Sequence, residues 1–191
     1  MAQFYDWKYL NEEQVNEFDR ETDEANLRKL ISQHIHIPFS NPKHMEFALR
    51  FHLYNFLFCK EEAFDARKTS TLMSIMNDMF LNDMTTSAPS NTMTQSFTAF
   101  KNIIIVHSVQ RPPKSIQVFD HHEVPSILKY AIDSYYRRYR LYKYLYTAKL
   151  VQNFKQVLPQ EVEYTRAFPP LADAILLKTT ETATENDVED D

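Results

Sequence analysis

The side chains best suited to chemistry in this sequence are its histidines, but their spacing does not favour a metal site. His34 and His36 are two residues apart, which would point their rings in different directions on a helix, and His121 directly precedes His122. Neither pair has the four-residue spacing with which a helix presents two zinc ligands, and Cys59 is the single cysteine. We therefore predict no metal site and no cofactor.

A catalytic base is equally hard to find. His107 continues an apolar face formed by Met93, Phe97, Phe100 and Ile104, so we expect a hydrogen-bonded core histidine. No nucleophile or orienting acid is placed beside it. The chain also contains no glycine, which dinucleotide-binding folds, P-loops and nucleophile elbows all require. We predict no catalytic residue and no enzyme.

The most unusual stretch is residues 124–149, which combines aromatic rings with positive charge. Seven of the eleven tyrosines lie there, and its net charge is +5 although the whole chain carries −5. Such polarity indicates either packing against the acidic remainder or a docking surface for an acidic partner. The residues that we select as partner-binding candidates in this stretch are Arg137, Arg138, Tyr139, Arg140, Tyr142 and Lys143.

Three interpretations of this stretch stay open at the level of sequence. In the first, the tyrosines fill the core and the arginines pair with acidic amino-terminal helices. In the second, a basic amphipathic helix binds an acidic protein such as calmodulin or a tubulin surface. The third is nucleic-acid binding, which the net charge of −5 and the pI near 5.8 oppose. We predict no nucleic-acid partner.

The elements that must position these residues are helices. Without glycine, tight hairpin turns are disfavoured, so the fold class that we predict is all-α. Two short amino-terminal helices are expected, the second capped by Thr22, followed by helices capped by Asn41 and Asp65. The helix after Asn41 is apolar on nearly every side. It therefore belongs in the middle of a core, or its surface is completed by a neighbour.

The basic aromatic stretch is itself predicted to be one long helix. Asp120 and Glu123 have the spacing of a capping box, and Pro125 indicates a short first turn that bends into the long helix. Tyr135, Tyr139, Tyr142 and Tyr146 share one face at steps near 3.6 residues, with most of the bases off that face.

The predicted organisation has three parts. Residues 1–158 form a helical domain, residues 159–177 an extended docking arm, and residues 178–191 a disordered tail with six acids. No secretory leader or apolar run of about 20 residues is visible, so we expect a soluble intracellular protein without a membrane partner.

Two long strings carry a resemblance to a known family. VHSVQRPPKSIQVF (Val106 to Phe119) and YYRRYRLYKYLYT (Tyr135 to Thr147) resemble the CLAMP family, small subunits of the central-pair projection 1a in motile cilia and flagella. The resemblance extends more weakly towards Trp7 and so covers roughly residues 5–150. It implies a non-enzymatic axonemal protein that assembles with a large scaffold, small companions and calmodulin on a central microtubule, and helps to control beating. Compared with longer members of that family, we expect the acidic tail in place of a coiled-coil extension after the domain.

Our leading hypothesis is therefore a structural subunit of the ciliary central apparatus. In it, the bases of the aromatic stretch meet acidic partner surfaces, while Arg111, Pro112 and Pro113 form a rigid exposed elbow that also contacts a partner. The alternative is a calmodulin-binding regulatory module in which residues 135–150 act as a target helix.

Overall fold

The computed structural model describes residues 4–85, 92–146 and 170–174, and over these ranges the chain is all-α, as predicted. An isolated antiparallel bridge joins Arg111 to Ser115. The α-helices of the described ranges are α1 Glu12–Arg20, α2 Glu24–His34, α3 Pro42–Glu61, α4 Ala66–Thr85, α5 Met93–Val106, α6 Val124–Ser134 and α7 Tyr139–Tyr146. Short 3-10 turns span Tyr136–Arg138 and Leu171–Asp173.

Two of the predicted helix caps are present, and the cap predicted for α2 is wrong. The Asn41 side chain accepts from the Lys43 amide at 3.0 Å, and Asp65 accepts from the Lys68 amide at 2.7 Å, which confirms both caps. The cap of α2 is Asp23 and not Thr22, because Asp23 accepts from the amide of Ala25 at 3.2 Å. The amide of Thr22 instead donates to Glu21.

The centre of the domain is α4 rather than α3, which corrects the expectation from hydrophobicity. Most apolar residues of α4 are buried, and so are polar residues such as Ser70, Ser74 and Asn77 on its other sides. Helix α3 buries Phe51 and Phe56 but exposes Phe47 and Tyr54. Small polar side chains let α4 be enclosed, whereas part of the apolar surface of α3 faces solvent.

Two hydrophobic clusters share α3 and α4. The smaller cluster joins α1 and α2 to Leu53 and Phe56 of α3 and to Met73 of α4. The larger cluster packs the opposite sides of α3 and α4 against α5, α6 and α7. The basic aromatic stretch is therefore part of the main core, and its outer surface is held in a fixed position.

The predicted long helix is interrupted. Helix α6 ends at Ser134, a 3-10 turn covers Tyr136–Arg138, and α7 follows directly. The predicted short first turn is present at residues 121–123, where the Glu123 amide donates to the Asp120 carbonyl at 3.0 Å, and α6 follows at Val124. Glu123 gives no side-chain cap. Half of the predicted capping box is present, since Glu123 accepts from the Asp120 amide at 2.8 Å. The Asp120 carboxylate instead bonds the Lys68 ammonium at 2.9 Å.

The chain divides into two units, Met1–Leu150 and Val151–Asp191. In the second unit the described part is the turn at Leu171–Asp173, where the Asp173 amide donates to Pro170. The predicted boundary at residue 158 and the tail at 178–191 lie outside the described residues, as does most of the arm at 159–177. No helix of the described ranges is long and apolar enough to span a membrane.

Candidate partner-binding surface

Beneath the candidate surface, three tyrosines fix the chain to the core. Tyr135, Tyr136 and Tyr139 are buried, with Tyr135 the most deeply. The Tyr135 hydroxyl donates to the buried Asp83 carboxylate at 2.7 Å, and Ser96 of α5 donates to the same oxygen at 2.6 Å. This network joins α4, α5 and the basic stretch. The first interpretation of the tyrosines, as core residues, is confirmed.

Burial and the Asp83 charge make these phenols poor acids. Burial raises the pKa of Tyr135 well above its usual value, and the adjacent Asp83 carboxylate raises it further. The same two causes raise the pKa of Tyr139 to about 12. An ordinary tyrosine is already protonated at physiological pH, and the raised pKa values keep both hydroxyls protonated in more alkaline solution as well, which preserves the donor that Asp83 needs.

The arginines of the stretch lie on the outside. Arg137, Arg138 and Arg140 are exposed, and Arg138 donates long hydrogen bonds to the carbonyls of Asp133 and Ser134, at 3.4 and 3.5 Å. The first interpretation also predicted that the arginines pair with the acidic amino-terminal helices. This is wrong, because no ion pair within the described ranges joins these arginines to α1 or α2. The acids there pair locally, as Glu24 does with Arg28 at 2.8 Å.

Three other candidates are turned inward to different degrees. The Lys143 ammonium donates to the backbone carbonyl of Asp83, which draws the side chain against α4. Tyr139 is only 4% exposed, and Tyr142 is half-buried beside Phe51 and Phe80. In this arrangement Lys143 and Tyr139 support the surface from beneath, whereas the three arginines can meet a partner.

Arg137 and Arg140 line one groove together, which we call the arginine groove. It lies between α5 and the α6–α7 stretch and has a volume of about 720 Å³. Its apolar lining includes Met93 and Leu141, which are 46% and 68% exposed. The other residues lining it are Thr94, Phe97, Ile132, Asp133 and Tyr136. Two cations beside exposed apolar side chains are suited to bind an acidic surface with an apolar centre.

The apolar part of this groove was missed from the sequence. Met93 and Phe97 belong to the predicted apolar face of α5, whereas Ile132 of α6 and Leu141 of α7 are exposed apolar residues that line the groove. Single apolar residues at exposed positions are common at protein surfaces, so their presence in the sequence carries little information alone.

The elbow at Arg111, Pro112 and Pro113 is exposed and closed by backbone hydrogen bonds. The Arg111 amide donates to the Ser115 carbonyl at 3.1 Å, and the Ser115 amide donates back at 3.1 Å. Because both ends of this small turn are joined by backbone hydrogen bonds, its three exposed residues are held in a defined conformation.

His107 makes structural contacts in the core. His107 is buried and its Nδ1 donates to the Ile103 carbonyl at 2.8 Å, so its Nε2 accepts from the Tyr5 amide at 3.0 Å. This confirms a hydrogen-bonded core histidine. Burial lowers its pKa, although the Ile103 carbonyl opposes the shift.

A potential set of metal ligands is formed by Asp120, His122 and Glu123, whose ligand atoms lie within 4.8 Å of one another. The Lys68 ammonium already bonds Asp120 at 2.9 Å and Glu123 at 2.8 Å. Lys68 therefore offsets one of the two negative charges of this cluster, and the contacts form an ion-pair network that joins α4 to the start of α6.

The calmodulin-target alternative requires the segment 135–150 to leave the domain. Release would expose the rings of Tyr135, Tyr136 and Tyr139 and remove a hydrogen-bond donor from the buried Asp83. These contacts weigh against a detachable helix. Residues 147–150 of that segment lie outside the described ranges.

A comparison with known families matches residues 54–154 to the family described as CLAMP, flagellar C1a complex subunit C1a-32. The match covers both strings on which the resemblance rested and begins after the Trp7 region, where the resemblance was weaker. The chain belongs to this family. Membership identifies a structural subunit of the flagellar C1a projection and places it at the central apparatus of the ciliary axoneme.

Proposed function

We propose that this chain is an assembly subunit that binds an acidic partner of the C1a projection through the arginine groove. The observation that carries the proposal is that Arg137 and Arg140 line one groove with exposed apolar side chains. An interface of this kind buries apolar residues at its centre and places charged hydrogen bonds around them.

The two guanidiniums are available for such bonds. Both are exposed, and neither takes part in an ion pair with another residue of the described ranges. An arginine presents a planar fork of donors that matches a carboxylate with two parallel bonds. Asp133 also lines the groove, so a fully acidic partner face would meet one unfavourable charge.

The partner that we propose is the large scaffold protein of the projection, with other small projection subunits as further contacts. Contact with tubulin would be direct or through the scaffold, and calmodulin would be a companion in the complex that has no need of a released helix. Through this assembly the subunit would contribute to the control of ciliary beating. The exposed elbow at Arg111–Pro113 is proposed as a second contact.

Reconstitution tests the groove directly. Axonemes from cells that lack the chain are incubated with purified protein, and the bound fraction is measured by sedimentation. We expect Arg137→Gln/Arg140→Gln to bind at least about tenfold more weakly, since each charged interface contact that is lost costs on the order of 1 kcal/mol or more.

The matched control is Arg20→Gln/Lys29→Gln, which removes the same charge from exposed positions of α1 and α2. It should bind as the unmodified chain does. Equal binding by both double variants would show that the arginine groove does not bind the partner, and family membership would be unaffected.

A further inference from the structure

A second surface is formed by a row of exposed residues along α3. Phe47, Tyr54 and Leu57 are 47%, 58% and 36% exposed, and charged residues continue the row in both directions. The full set, which we call the α3 stripe, is Lys43, Phe47, Arg50, Tyr54, Leu57 and Glu61, all of them exposed. Phe47 and Tyr54 therefore expose a large aromatic surface to solvent.

The stripe from Phe47 to Glu61 forms one wall of a groove of about 620 Å³, and Tyr130, Ser134, Arg138 and Tyr142 form the other. Ring contacts join α3 to this second wall. Phe58 stacks on Tyr130 at 3.9 Å between centroids, and Phe51 contacts Tyr142 at 6.1 Å. The groove shares none of its lining residues with the arginine groove.

The stripe has the geometry that a partner helix requires. From Lys43 to Glu61 the steps are four, three, four, three and four residues, as they are along one face of any α-helix. A second helix can pack along such a row by inserting side chains between those of α3. The choice of occupant therefore depends on the order of residue types.

The order of residue types then selects the helix. If a second α3 lies antiparallel so that Phe47 faces the partner's Leu57, Arg50 faces the partner's Tyr54. In the same register Lys43 faces the partner's Glu61. Two-fold symmetry repeats every one of these pairs, so each Lys43 meets a Glu61 and each Arg50 meets a Tyr54 ring.

We propose that two copies of this chain associate through an antiparallel α3–α3 contact along the α3 stripe. Arg50 can keep its bond to Glu46, at 2.8 Å, because a guanidinium bonds a carboxylate with its edge while stacking on a ring with its face. The proposal is independent of the arginine groove, and each can fail while the other holds.

Sedimentation equilibrium of the purified full chain between about 1 and 100 µM tests for the dimer, since this range covers micromolar dissociation constants. Tyr54→Arg places like charges opposite one another and should raise the dissociation constant about a hundredfold or more. Tyr144→Arg makes the same change at an exposed tyrosine outside both grooves and should leave it unchanged.

A charge exchange tests the register. Lys43→Glu and Glu61→Lys each create two repulsive pairs and should weaken the dimer roughly three- to tenfold, as expected for exposed charges. The double variant restores both pairs and should restore the affinity. Circular dichroism of each variant confirms that the helices are retained.

A dimer with these responses supports the proposal. A chain that stays monomeric throughout the range, or a dimer that Tyr54→Arg leaves intact, overturns it. Single charge variants that are not rescued by the double variant overturn the antiparallel register.

Discussion

Asp83 shows how one residue organises the interior of this protein. It lies on the carboxyl-terminal half of α4, is 1% exposed, and accepts hydrogen bonds from Ser96 and Tyr135. A buried carboxylate is tolerated only when donors replace its lost hydration. The tyrosines of the basic stretch provide such donors, which explains why phenols rather than phenylalanines occupy this part of the core.

The Tyr135 hydroxyl should therefore contribute to stability. Tyr135→Phe keeps the ring and removes the bond to Asp83, so we expect the free energy of unfolding to fall by about 2 kcal/mol, the value typical of a bond to a charged group. Urea unfolding followed by circular dichroism measures the change. Tyr144→Phe, at a ring that is 74% exposed, should change it by less than about 0.5 kcal/mol.

His52 should make stability depend on pH. It is 1% exposed, and burial lowers its pKa to about 4. The unfolded chain binds a proton at this residue below pH 6.5, whereas the folded chain does so only near pH 4, so stability falls as the pH drops through this window. The loss from this residue is up to about 3 kcal/mol.

His52→Leu removes that proton-binding site from both states. The slope of unfolding free energy against pH between about 6.5 and 4 should become shallower by roughly one proton. Urea titrations at several pH values provide the slope. An unchanged slope would show that His52 does not titrate in this window on unfolding.

At the scale of elements, α5 depends on its amino-terminal cap. Thr92 and Gln95 form a reciprocal capping box, with bonds of 3.0 and 3.3 Å between side chains and amides. Thr92→Ala should lower the free energy of unfolding by about 1 kcal/mol, and Thr92→Ser should retain most of it. Since α5 contributes Met93 and Phe97 to the arginine groove, weaker partner binding by Thr92→Ala is expected as well.

Element types were predictable from periodicity and caps, but their surroundings were not. The apolar residues of α3 suggested full burial, yet burial depends on which helices lie beside it. Helix α4 is enclosed although it carries Ser70, Ser74 and Asn77. The break at Tyr136–Arg138 also leaves no mark in the sequence, because no proline or glycine causes it.

Only part of the candidate surface could be predicted, because the position of a side chain also depends on contacts with residues distant in the sequence. Spacing distinguished the tyrosine face from the bases, so the exposure of Arg137, Arg138 and Arg140 could be anticipated. Whether a long side chain turns inward is decided by a distant partner, as Asp83 decides it for Lys143. The arginine groove depends on the approach of α5, which no local pattern contains.

At the scale of the whole molecule, charge is separated along the chain. The stretch 124–149 carries +5 within a chain of −5, and its arginines face solvent. Binding to axonemes should therefore weaken as salt rises from about 50 to 300 mM, because exposed charges are screened over roughly 8–10 Å near physiological salt. Arg137→Gln/Arg140→Gln should show a smaller salt dependence in the sedimentation assay than Arg20→Gln/Lys29→Gln.

Rescue in motile cells that lack the chain shows whether the arginine groove is required for assembly. Tagged unmodified protein, Arg137→Gln/Arg140→Gln and the Arg20→Gln/Lys29→Gln control are expressed at equal levels, and their amounts at the central apparatus are compared. We expect the unmodified chain and the control to incorporate fully and the groove variant to stay in the soluble fraction. Full incorporation of the groove variant would contradict it.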